Sequence, residues 1–306
     1  MNDGFAPTAT LTPSQERQEW LQRRMTGVGS SDTPVILGLS KWKIPLTLYL
    51  EKTGEIESAP QTEAQKSGLL LEAVIAARYE EETYNKVSFP SSRLTTHPTI
   101  PWMFASIDRM AQVFTSQRIL ELKNYRFDDG WGANHTQDIP PDIYAQVQHQ
   151  MECAQVPWAD VAVLLGGQEL RVYHIPYDYE YCQELIKQIE VFWQMVVNRT
   201  PPPYDWSHPD TAKVIRQKQK VTPEKEIILD DRDTAVLLLQ FASMRDKLKE
   251  LQQAKDTCQA RLIERMGDAQ VALTPAGYRI TRKQIHKEGY WVRPSDGFRF
   301  DVRMPK

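Results

Sequence analysis

Cysteine is scarce in this chain of 306 residues, and the three present, Cys153, Cys182 and Cys258, form no C-x-x-C pair. An odd number at wide spacing argues against a disulfide framework and against a cysteine-held zinc site. The six histidines are equally scattered. Long apolar runs are missing too. Stretches such as Leu69–Leu71 and Val161–Leu165 fall far short of the roughly 20 residues a membrane-crossing helix needs. Residues 1–12 lack a basic start followed by an apolar run, so no secretory signal is expected. A reducing cytoplasm, with no membrane partner, is the expected setting.

A dominant charge is also absent. The net charge of −3 does not announce a nucleic-acid binder. The distribution is uneven, however. From Val271 to Lys306 eight basic residues stand against three acidic ones, a local +5 that leaves −8 for the rest. What is present is 41% apolar and 25% charged residues, enough to bury a full core. The length predicts one large domain with an appendage.

Residues 1–12 read as a loose tail. Thr12-Pro13-Ser14-Gln15 has the form of a capping box opening a helix to about Arg24. The glycine loop Gly27-Val28-Gly29-Ser30-Ser31-Asp32 follows, then helices to Leu37, over Pro45–Thr53 and over Ala64–Tyr84. Short β-branched or aromatic stretches predict strands at Trp102–Ile107, Ala111–Phe114, Ile119–Lys123, Val161–Leu165 and Leu170–Ile175. Helices are expected at Asp142–Gln155 and Tyr179–Asn198. The sequence thus predicts an α/β domain over residues 13–203 with a mixed sheet, a linker over 204–222 and a separate module over 223–306. In that module Leu237, Phe241, Met244, Leu248, Leu251, Lys255, Cys258 and Leu262 alternate steps of four and three, a coiled-coil seam that must pack on its own domain or on another subunit. Two hairpins, around Pro275-Ala276-Gly277 and Pro294-Ser295-Asp296-Gly297, complete it.

Five features carry candidate chemistry. On a strand, Glu121 and Lys123 share one face while Leu120 and Leu122 take the other, an arrangement that serves a metal and a phosphate or simply a neutralised pair. Asp108, after Ala105-Ser106-Ile107, lies close enough for a hairpin to bring it to Glu121. By itself it reads equally as a turn residue. Glu72 lies on a helical face with Leu69, Ile75, Ala76 and Tyr79, where its carboxylate needs a metal, an Arg or a Lys. Gln146, His149, Gln150 and Cys153 form a polar stripe that either holds a water or phosphate oxygen or is the wet side of a surface helix. Arg23-Arg24 with the glycine loop and Ser30-Ser31 make an anion site or merely a capped helix.

The order and spacing of these features resemble the YqaJ-like viral recombinase family, which includes the lambda-type exonucleases of the PD-(D/E)xK nuclease superfamily. The resemblance runs from about Arg23 to Tyr177. It takes in the glycine loop, Leu48-Tyr49-Leu50-Glu51-Lys52-Thr53-Gly54, Gly68 to Glu72, Ala105–Asp108, Leu120–Lys123, Tyr144–Gln148 and Trp158–Leu164. It implies a restriction-endonuclease-like mixed sheet flanked by helices, and one or two Mg2+ ions (Mn2+ substituting) held by Asp108, Glu121, the Leu122 carbonyl and Glu72. It further implies Lys123 and Gln146 placing the attacking water, and Arg24 and Ser31 receiving a terminal 5′-phosphate. The expected activity is 5′→3′ digestion of double-stranded DNA from free ends, by a ring-shaped oligomer, a trimer by resemblance, with a single-strand annealing partner. A ring needs a basic lumen only, which accommodates the acidic total. An endonuclease of the same superfamily and a non-catalytic DNA-binding protein are the alternatives. One departure stands out: Ile107-Asp108-Arg109 replaces the Pro-Asp-Gly common in the family, which bears on the local turn. The chain beyond Lys220 also exceeds the compact lambda-type pattern.

Overall fold

A computed structural model of the chain describes residues 22–92, 94–219, 222 and 224–283. The N-terminal tail, the start of the first helix and the second basic hairpin lie outside these residues. The chain divides into two compact units, Met1–Val221 and Thr222–Lys306.

The first unit is built on a five-stranded mixed sheet in the order β2-β5-β6-β7-β8, comprising β2 (Lys86–Ser88), β5 (Arg109–Val113), β6 (Ser116–Tyr125), β7 (Trp158–Leu165) and β8 (Glu169–Pro176). Strand β7 runs parallel to β6, and every other pairing is antiparallel. A second small sheet orders β1 (Val28–Gly29), β4 (Met103–Ser106) and β3 (Leu94–Thr96) with β4 central. Strands β1, β2 and β3 are two or three residues long and left no period-2 signal to read. Helices α1 (Thr33–Ile36), α2 (Pro45–Lys52), α3 (Glu63–Thr83), α4 (Pro141–Ala154) and α5 (Tyr179–Val197) lie where the sequence placed them, within one or two residues. Helix α3 starts on a capping box in which Thr62 and Gln65 satisfy each other's backbone N–H groups.

The alternation of β6 sorts the core. Leu120 and Leu122 enter a cluster with Ile75, Ala76 and Tyr79 of α3, whereas Ile119 packs with Ile143, Val147 and Met151 of α4. The two helices therefore cover opposite faces of the sheet, giving the mixed sheet that the sequence predicts, flanked by helices as the family resemblance implies. A correction concerns Leu69, expected on α3's inward stripe but 53% exposed. The buried stripe begins only at Ile75, where α3 meets the sheet.

A further correction concerns the stretch read as a linker. Residues 204–222 contain α6 (Asp210–Lys218), seated on the first unit. Its Val214 joins the core cluster of α2 and α5, and Asp210 accepts from the Ile44 N–H at 3.1 Å and the Thr47 hydroxyl at 2.7 Å. Asp210 thereby caps α2, whose own first residue is proline. Prolines 201–203 end α5 without ending the domain.

The second unit contains the long helix α7 (Arg232–Met266), capped by the Asp231 side chain and closed at Gly267, and the antiparallel hairpin β9 (Val271–Leu273) with β10 (Arg279–Thr281). Among the described residues no helix is long and apolar enough to cross a membrane.

Candidate active site

Strand β6 and helix α4 assemble one buried polar cluster. Glu121 is 2% exposed and is held by three side-chain donors. Lys123 Nζ lies 2.6 Å from its Oε1, Gln146 Nε2 donates to the same oxygen at 2.7 Å, and Gln150 Nε2 donates to Oε2 at 2.6 Å. Lys123 also donates to Gln146 Oε1 at 3.0 Å, closing a three-membered ring of side chains. Gln146 and Gln150 reach Glu121 together because residues four apart on a helix share a face. The polar stripe of α4 is therefore an inner face: His149 and Gln150 are fully buried, and Cys153 nearly so.

Asp108 sits between β4 and β5. The β5–β6 register pairs Arg109 with Leu120, so one further step brings Asp108 opposite Glu121. Its Oδ2 accepts from the Leu122 N–H at 3.0 Å. Burial pushes the Asp108 carboxyl well above its usual range, and the charges of Glu121 and then Glu72 add to this against the pull of Lys123. Glu72 thus belongs to the same electrostatic neighbourhood. Its carboxylate stands 3.7 Å from Arg109, which lies 4.0 Å over the Phe89 ring and donates to the Asp108 carbonyl. The arginine that departs from the family pattern is therefore a counter-charge at the rim. Lys123 remains an ammonium. Burial alone would lower its pKa, but Glu121 and Asp108 raise it further.

Do these groups fit a divalent ion? Among the described residues no three acidic, histidine or cysteine side chains stand together at ligand spacing, because Glu121 is held by Lys123 and two amides while Glu72 faces Arg109. The chemistry of the set nevertheless fits. Carboxylate oxygens are hard donors suited to Mg2+ or Mn2+, and a cation relieves the crowding that raises the Asp108 pKa. The side-chain oxygen of Gln150 is buried without a hydrogen-bond partner, a further acceptor at the same place.

The expected anion site is arranged differently from its sequence reading. Arg24 donates to Asp32 at 2.7 Å, and the buried Lys52 lies 2.8 Å from the other Asp32 oxygen. Burial alone would raise the Asp32 pKa, but Lys52 and Arg24 together hold it far below the carboxylate range. Ser30 is buried and Ser31 exposed. Gly27 is required here: a Cβ would lie 2.1 Å from the Trp102 carbonyl. Lys52 was not singled out from sequence, since a lysine near a helix end normally reads as a solvated cap. A second network also went unread. Asp160, fully buried, accepts from Tyr79 at 2.5 Å and from Arg118 at 2.9 Å, with His174 at 2.9 Å.

The family model for the YqaJ-like viral recombinase domain matches residues 19–157. The chain is 30% identical over 278 residues to the uncharacterized protein YqaJ of Bacillus subtilis (strain 168), spanning 88% of this chain and 84% of that one. Among solved structures it is similar to an alkaline exonuclease, LHK-Exo, from Laribacter hongkongensis, in the crystal structure with dAMP. That similarity is at 20% identity and TM-score 0.48, over 64% of this chain and 99% of the other. A phage-related exonuclease from Haemophilus somnus 129PT is similar at 10% identity and TM-score 0.44, over 56% and 94%. The matched segment carries the glycine loop, Glu72, Asp108, Glu121 and Lys123, and with the relative's near full-length similarity it settles the family: this chain belongs to the YqaJ-like viral recombinases.

Proposed function

We propose that this protein is a Mg2+-dependent 5′→3′ exonuclease of double-stranded DNA, acting in phage or prophage recombination to expose 3′ single strands for annealing. The observation that carries this reading is the joining of Glu121, Lys123 and Gln146 in one hydrogen-bonded ring beside Asp108, in a viral recombinase family. Asp108, Glu121 and the Leu122 carbonyl would hold one or two ions, with Glu72 completing the set from α3. When bound, the metal polarises a phosphoryl oxygen and makes water a usable nucleophile near neutral pH.

The chain's own groups do the rest. Lys123, kept protonated, offsets charge on the phosphate and orients water rather than accepting its proton. Gln146 fixes Lys123 and Glu121 relative to each other. Arg24, shared between Asp32 and an incoming terminal phosphate, and the exposed Ser31 hydroxyl form the 5′-end contact. A homo-oligomeric ring and a single-strand annealing partner belong to the same reading.

Digestion of linear duplexes labelled at one terminus, with 5′-phosphate or 5′-hydroxyl ends, tests it. Label release from the 5′ end, faster on the phosphorylated duplex, with closed circular DNA untouched, is expected. Cleavage of the circle would make the protein an endonuclease, and no cleavage of either with Mg2+ or Mn2+ would leave only a DNA-binding role.

A further inference from the structure

We infer that Gln150 is a positioning residue for Glu121, holding it and the Asp108 segment at a fixed spacing for one shared divalent ion. This role rests on the proposed metal site of Asp108 and Glu121 and adds the residue that sets their spacing. Gln150 is fully buried on α4. Its Nε2 donates to the Ser106 carbonyl at 2.9 Å and to Glu121 Oε2 at 2.6 Å, using both of its hydrogens. The reverse amide orientation would set an oxygen against two acceptors, so these neighbours fix which atom lies where.

The two acceptors belong to different sheets. Ser106 ends β4, the central strand of the small sheet, and Glu121 lies on β6, the central strand of the large one. The chain passes from one sheet to the other through Ile107 and Asp108, immediately after Ser106. One amide nitrogen thus ties the strand that leads into Asp108 to the strand that carries Glu121. The preceding residue, His149, meets the Phe104 carbonyl of β4 at 2.9 Å, so α4 is fixed to the small sheet at two successive positions. The other donors to Glu121 differ in kind. Lys123 and Gln146 both reach Oε1 and are half-buried, within reach of solvent, whereas Gln150 holds Oε2 from a position closed to it. The side-chain type matters as well. A lysine here would cancel the charge that attracts a cation, and a glutamate would repel Glu121. A neutral amide holds the oxygen and leaves its charge for the ion, as partners of metal-binding carboxylates do.

Titration calorimetry of Mn2+ into the full chain tests this role. Gln150→Met keeps an unbranched side chain of similar length and removes both donated bonds, and Mn2+ binding is expected to weaken about tenfold. Gln150→Asn keeps an amide in the pocket, ends one methylene short of both acceptors, and should weaken binding likewise if the methionine variant does not fold. Glu121→Gln, which removes the ligand itself, should lose more than either. In digestion of a linear duplex the half-saturating Mn2+ concentration should rise by the same factor as the dissociation constant. The rate should recover at saturating Mn2+, which general loosening of the fold would not give. Wild-type Mn2+ affinity in the folded Gln150 variants, with Glu121→Gln weakened, would overturn the role of Gln150 alone, as would a depressed rate that saturating Mn2+ does not restore. Unchanged affinity in Glu121→Gln would remove the metal site itself and the role of Gln150 with it.

Discussion

Asp108 illustrates how a buried acidic side chain burdens the fold that holds it. Buried beside Glu121 and Glu72, its carboxyl is raised above its unfolded value, so its contribution to stability is full at low pH and is lost as pH rises through the folded pKa. Asp108→Asn keeps an acceptor for the Leu122 N–H and removes the burden. The variant should melt higher than the wild type at pH 8 without metal, within the usual 0.5–2 kcal/mol of about any single stabilising change, while Mg2+ raises the wild-type midpoint alone. A thermal melt series with and without Mg2+ checks both. His149 works with the opposite sign. Burial lowers its pKa from 6.5 to about 4, with Thr33 at 2.7 Å and the Phe104 carbonyl at 2.9 Å from its two ring nitrogens. Its contribution is complete above pH 6.5 and disappears as pH falls to about 4, a loss of about 3 kcal/mol. Urea titrations across that range should show the loss in wild type and a flatter profile in His149→Gln. Lys52 and Asp32 form the third such case. Lys52→Met leaves Asp32 with Arg24 as its ion-pair partner and the Gly29 N–H as a donor, and should cost about 3–5 kcal/mol in a denaturant titration.

At the scale of elements, what was legible followed from periodicity and what was not followed from partners. The β5–β6 hairpin, α4 and α7 were readable because alternation and helical spacing report a residue's own face. The linker reading failed because α6 is short and largely polar, and it is seated through Asp210, a contact that depends on α2, which lies far away in sequence. For the same reason the α4 stripe could not be assigned in advance: a polar face is inner or outer according to what lies opposite, here Glu121 and the Ser106 carbonyl. The glycine loop carries a sharper constraint. Gly27→Ala drives a Cβ into the Trp102 carbonyl, against which Val28 donates its N–H at 2.7 Å. That change should open the β1–β4 pairing and cost about 1–3 kcal/mol, read by denaturation and by faster amide exchange at Val28.

At the scale of the molecule the chain divides into two compact units. All residues proposed for the metal, the water and the 5′ end belong to the first, Met1–Val221, whereas the second holds the long helix and basic hairpin residues such as Arg279 and Arg282. Removing residues 222–306 should lower oligomer mass or duplex affinity while leaving Mg2+ affinity unchanged. Titration calorimetry and a filter-binding isotherm separate the two effects, and a loss confined to Mg2+ affinity would reverse the assignment. The central claim concerns the cluster on β6 and α4. It is tested most directly by nucleotide release from a linear 5′-phosphorylated duplex in Mg2+, comparing wild type with Glu121→Gln and Lys123→Ala in protein shown to be folded. Release should fall at least about a hundredfold in both variants, and release at the wild-type rate would contradict the account.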